Sequence, residues 1–76
     1  QMIAKLRARY TEVRTMRNDA SRERFRERSK MMGGKIKKSQ VEVDKVLALH
    51  DMKIKSLEQE ERELREQIDL LFAEME

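Results

Sequence analysis

Residues 36–75 read IKKSQVEVDKVLALHDMKIKSLEQEERELREQIDLLFAEM, and the spacing of their apolar residues decides the fold class. Taking every seventh residue from Ile36 gives Ile36, Val43, His50, Leu57, Leu64 and Leu71. The interleaved set gives Gln40, Leu47, Ile54, Glu61, Ile68 and Met75. Two sets offset by four and then three residues form a sustained a/d heptad repeat, the signature of a helix that buries one seam against another helix. Leu at the later d positions with Ile54 and Ile68 at a favours two parallel strands. The pattern therefore predicts an all-α chain, a single long helix forming a parallel two-stranded coiled coil through its C-terminal half.

The rest of the composition agrees. Of the 76 residues 43% are charged and 38% apolar, with no Pro, no Trp, two Gly and three aromatics, which leaves too little apolar surface to close a compact single-chain core. Arg, Lys, Glu, Gln, Met and Leu, all good helix formers, dominate. The absence of Cys removes disulfide and thiolate chemistry, and no stretch approaches the roughly 18 consecutive apolar residues of a membrane span. The first residues lack the apolar run expected of a signal peptide, and no zinc or phosphate-loop pattern occurs in the sequence. A start at Gln1 and an end at Glu76 inside the heptad pattern suggest a piece of a longer chain. No cofactor, catalytic group, small-molecule substrate or membrane contact is expected.

Charge divides the sequence. Residues 1–38 carry 13 Lys/Arg against 4 Asp/Glu, about +9, while residues 39–76 carry 5 against 11, or −6. Three regions follow: a helical extension over 1–13, a basic region over 14–35 ending near the Gly33-Gly34 pair, and a dimerisation region over 36–76. Upstream, Ile3, Leu6, Tyr10 and Val13 keep a helical stripe, but its heptad continuation meets Arg17, Arg24 and Glu27, where the seam is expected to dissolve. Gly33-Gly34 weakens a helix by about 1 kcal/mol per glycine relative to Ala, and a hinge, a kink and a hairpin turn all fit it.

Within the dimerisation region, g-to-e pairing between parallel strands sets Lys53 against Glu58 and Glu60 against Arg65, both attractive. Glu61 and His50 are the discordant members, since a homodimer sets each against its own copy. Such residues call for a partner that supplies a complementary group, or tilt out into water.

The stretch Arg17-Asn18-Asp19-Ala20-Ser21-Arg22-Glu23-Arg24-Phe25-Arg26-Glu27-Arg28 carries a further pattern. Asn18 precedes Arg26 by eight residues, and Arg26 precedes the first heptad residue, Ile36, by ten. In both spacings the chain resembles the basic leucine zipper (bZIP) family of transcription factors. The resemblance implies a dimer, homo- or heteromeric, whose N-terminal helices enter the major groove of double-stranded DNA in the nucleus. It places Asn18, Ser21, Arg22, Phe25 and Arg26 against base edges, where an amide, a guanidinium and an apolar ring suit adenine, guanine and the thymine methyl. Arg14, Arg17, Arg24, Arg28, Lys30, Lys35, Lys37 and Lys38 would contact phosphates. Ile36, Val43, Leu47, His50, Ile54, Leu57, Glu61, Leu64, Ile68, Leu71 and Met75 would form the dimer seam. Ser21 and Arg22 stand where that family usually has small apolar residues, and Gly33-Gly34 falls where it keeps a continuous helix.

The opposite charges of the halves and the glycine pair support a second reading. Here the chain is a structural coiled coil, antiparallel or a hairpin, with basic half against acidic half, as part of a scaffold, cytoskeletal or tethering protein.

Overall fold

The computed structural model describes residues 2–33 and 39–75, and these form two helices and no strand: α1, Met2–Gly33, and α2, Gln40–Met75. The helices lie antiparallel, so the chain is a helical hairpin about 59 Å long and 17 × 13 Å across. The all-α expectation holds. The single long helix does not, and two physical causes account for the reversal.

The first is local. At its C-terminal end α1 reaches the glycine pair, with Gly33 its last residue. Six positions later Ser39 caps α2: its carbonyl accepts the Val43 N–H at 3.0 Å and its hydroxyl accepts the Glu42 N–H at 3.3 Å. A Ser at the N-cap with Glu three residues on satisfies backbone donors that a fresh helix start leaves orphaned. Asp44, bonded by Gln40 at 2.9 Å, adds a side-chain bridge across the first turn of α2. Ile36, Lys35, Lys37, Lys38 and Gly34 lie outside the described residues.

The second cause is the seam. On α2 the buried or half-buried positions include Val43, Leu47, His50, Ile54, Leu57, Glu61, Leu64, Ile68 and Leu71, the heptad set read from the sequence. Met75 departs from it, being 70% exposed. On α1 the corresponding set is Ile3, Leu6, Tyr10, Val13, Arg17, Ala20, Arg24, Glu27 and Met31, with the same alternation of three and four. The seam on α1 thus does not dissolve at Arg17, Arg24 and Glu27; it runs the length of the helix. Val13, Ala20, Leu57 and Leu64 form the buried centre, with Leu6, Tyr10 and Ile54 packed against it, and Val13 is fully shielded from solvent. Burial of a Val or Leu side chain stabilises by about 1.5–3 kcal/mol, so Val13, Leu57 and Leu64, closed over by the small Ala20, hold together two helices that would be marginal alone.

Candidate functional site

The residues that the sequence singled out separate in the hairpin into those turned across the seam and those turned outward. Arg17 and Arg24 belong to the first group. Arg17 Nε lies 2.8 Å from Glu61 Oε2, with the two side chains only 31% and 17% exposed. The contact is an ion pair at short range whose angle falls off the hydrogen-bond line, so Arg17 Nε is buried against the carboxylate without an aligned acceptor. Arg24 grips Asp51 with Nε on one carboxylate oxygen and Nη2 on the other. Arg9 reaches Glu60 with both Nε and Nη2, at 3.2 and 2.8 Å, while its Nη1 holds Glu12 at 2.9 Å. The Glu60 hydrogen bonds and charge raise the Arg9 pKa above its already high ordinary value, so this guanidinium stays charged. Arg7 lies over the ring of Phe72 at 5.8 Å, a cation–π contact between the helices.

All four cross-helix contacts join a cation of α1 to a carboxylate or ring of α2. The opposite charges of the two halves are thus partly neutralised against each other. Glu61, discordant in a homodimer seam, faces Arg17 of its own chain. His50 is half-buried on the seam face of α2, one heptad before Leu57.

Asn18, Ser21, Arg22, Phe25 and Arg26 are in the second group. All five are exposed, Phe25 at 69%; Asn18, Arg22, Phe25 and Arg26 lie on the side of α1 turned away from α2, while Ser21, two heptads after Arg7, stands at the edge of the seam. Arg26 is drawn to Glu23 on its own helix at 3.6 Å, an exposed pair of little energetic weight. Arg14, Arg28 and Lys30 are also exposed, and none forms an ion pair among the described residues. Lys35, Lys37 and Lys38 fall outside the described residues. Of the expected g-to-e partners, Glu60 bonds Arg9, while Lys53, Glu58 and Arg65 are exposed.

Folding back also redistributes charge. Among the described residues the turn half, 20–33 and 39–56, carries 8 Lys/Arg against 5 Asp/Glu; the open half, 2–19 and 57–75, carries 7 against 9. The hairpin is therefore a rod with a basic tip and a mildly acidic open end, a polarity that the linear sequence conceals. The tip also carries exposed apolar side chains: Phe25 and Met32 from α1, and Val41, Leu49 and Met52 from α2.

Sequence reasoning missed Arg9, Asp51 and Phe72 as cross-helix partners, and no local pattern marks them, because each contact joins positions 27 to 65 residues apart. It also missed Ser39, for which a signal exists in the Ser39-Gln40-Val41-Glu42 capping pattern. Among the described residues no group of three or more His, Asp or Glu could hold a metal ion, and no helix is long and apolar enough to cross a membrane. Compared with known protein families, characterised proteins and solved structures, the chain matches none.

Proposed function

We propose that the chain is a non-catalytic interaction element, a self-closed antiparallel coiled-coil hairpin that serves as a stiff arm in a larger assembly and presents its outer surfaces to protein partners. The Arg17–Glu61 pair carries this reading. A parallel homodimer seam with Glu61 in it sets that carboxylate against its own copy, whereas in the hairpin Glu61 finds its complement in Arg17 at 2.8 Å. Chain connectivity acts in the same direction. A short linker sets an effective concentration of the order of mM, so at about 1 μM protein the intramolecular seam is favoured over a dimer of equal contacts by roughly 10³, or about 4 kcal/mol.

The test is a distance. Cysteines replacing the exposed Met2 and Met75, each carrying a spin label, are measured in samples diluted with unlabelled chain. Met2 and Met75 line one shallow depression at the open end, so a hairpin gives a short intrachain distance. A continuous helix of this length would separate the labels by about 110 Å at 1.5 Å per residue. Light scattering on the same sample reads the mass.

A second reading is sequence-specific DNA binding of bZIP type, supported by the exposure of Asn18, Ser21, Arg22, Phe25 and Arg26 along one side of α1. In that reading residues 14–35 enter the groove, residues 36–76 zip with a second chain in parallel, and the protein works in the nucleus. The two readings compete for one seam, since α2 cannot hold α1 and a partner helix with the same residues. Selection of bound duplexes from a random pool decides: a preferred sequence lost on Asn18→Ala supports the DNA reading, and binding without preference at physiological salt removes it.

A further inference from the structure

Two helices packed side by side leave a groove along each of their two edges, and the contacts along the hairpin tell one edge from the other. Arg7 meets Phe72 across one edge, and Asp51, three heptads before Phe72, meets Arg24 there. Arg28 lies three heptads after Arg7 and so takes the same edge position on α1. The opposite edge carries Arg9 and Glu60. In the next row outward from the Arg28 edge stand Phe25 and Met32 on α1, and outward from the Asp44–Asp51 edge stand Val41 and Ala48 on α2. Phe25, Met32 and Val41 are 69%, 55% and 63% exposed. Each pair is separated by seven residues, two helical turns or about 10 Å, so an apolar strip borders the groove on both sides over that length. Around it stand Arg22 and Arg28 on α1 and Lys45 and Lys55 on α2, all exposed and none ion-paired among the described residues. Asp51 is already held by Arg24, which leaves Asp44 the one anion of that edge row without a cation in the tip half.

We propose that this groove receives a third helix, an acidic amphipathic helix of a partner protein, to complete a local three-helix packing at the tip. The apolar rows meet the partner's apolar stripe, and Arg22, Arg28, Lys45 and Lys55 meet carboxylates on its flanks. Charge complementarity selects this occupant over a second copy of the chain. Two tips brought together would each contribute the 8-to-5 cationic excess of the described residues 20–33 and 39–56 and repel. Apolar rows of Phe, Met and Val bordering the groove favour a helix with its own apolar stripe over a bare phosphate backbone, which offers nothing to bury them. The inference rests on the closed hairpin.

The probe is a fluorescein-labelled peptide of three heptads with Leu at a and d and Glu on the flanks; its control is the same composition scrambled so that no apolar face forms. Anisotropy titration against the full chain is expected to show saturable binding to the ordered peptide and at least tenfold weaker binding to the scrambled one. Phe25→Glu and Val41→Glu, both exposed and so harmless to the seam, each weaken binding tenfold or more. Leu49→Glu, exposed on α2 but on the side away from the groove, leaves it unchanged. Equal binding of the scrambled peptide, or equal loss with Leu49→Glu, overturns the groove. So does tight binding of duplex DNA or phosphatidylserine vesicles that Phe25→Glu abolishes while the peptide does not bind. The Met2–Met75 label distance is read on the same protein. A long distance sinks the hairpin itself, and a short one without face-dependent binding sinks the groove alone.

Discussion

Exchanging the charges of Arg17 and Glu61 tests the hairpin at the one place where its seam would fail in a parallel homodimer. The pair is 2.8 Å apart, with side chains 31% and 17% exposed, so it lies between a surface pair and a buried one. Surface pairs contribute about 0–1 kcal/mol, and breaking a fully buried pair costs about 3–5 kcal/mol because a charge is left without a partner in a poorly solvated place. The partial exposure and the imperfect hydrogen-bond angle place Arg17→Glu near the middle of that span, at about 2 kcal/mol, since it sets two carboxylates against each other. Glu61→Arg is expected to cost a similar amount by setting two guanidiniums together. For a chain of this size about 2 kcal/mol lowers Tm by roughly 8–16 °C. The double variant restores opposite charges in reversed order and should recover most of the loss, giving a coupling energy of about 3 kcal/mol or more in the cycle. Thermal unfolding followed by far-UV circular dichroism at low and high salt reads all four proteins. In a parallel homodimer Glu61 faces its own copy and Arg17 lies outside the dimer seam. Additive effects, or stabilisation by Glu61→Leu alone, would refute the pairing and with it the argument for the hairpin.

Three further substitutions probe the elements that shape the hairpin. Val13 is fully buried between the helices, so Val13→Ala should destabilise by about 2 kcal/mol through lost burial and a residual void, read as a lower urea midpoint with an unchanged slope. Ser39→Ala removes the hydroxyl that accepts the Glu42 N–H and should cost about 1 kcal/mol, whereas Ser39→Asp should hold stability near the starting value. Gly33 ends α1 with nothing within 4 Å of where a Cβ would sit, so Gly33→Ala should stabilise by up to about 1 kcal/mol; a loss in its melting curve would show that this residue serves the turn rather than the helix.

Half of the seam could be read in the sequence and half could not, and the difference lies in side-chain chemistry rather than spacing. On α2 the heptad positions hold mostly Leu, Ile and Val, so periodicity alone picks out the residues that end up shielded from solvent. On α1 the same spacing continues through Arg17, Arg24 and Glu27, and charged residues at core positions read as the end of a seam. The two arginines are not its end when the facing helix carries the opposite charge, because a long stem packs along the seam while its head meets a carboxylate, Glu61 for Arg17 and Asp51 for Arg24. Whether Arg17 interrupts the seam or belongs to it depends on a residue 44 positions away, and no local window contains that information. The same dependence hid the orientation: Leu and Ile preferences at a and d speak for parallel strands only when the two strands are copies, and here the strand facing α2 is α1. The division of charge, +9 before residue 39 and −6 after it, was visible from the start and fitted both a DNA-binding arm with an acidic zipper and a chain folded on itself. Cross-helix ion pairs at Arg9, Arg17 and Arg24 spend part of that charge inside the molecule, while Arg22, Arg28 and Lys30 keep theirs on the outside of the tip. A recognition surface on this hairpin is therefore to be sought among the outward residues of the tip rather than along the whole basic half, because the cations that hold the fold together are not free to bind anything else.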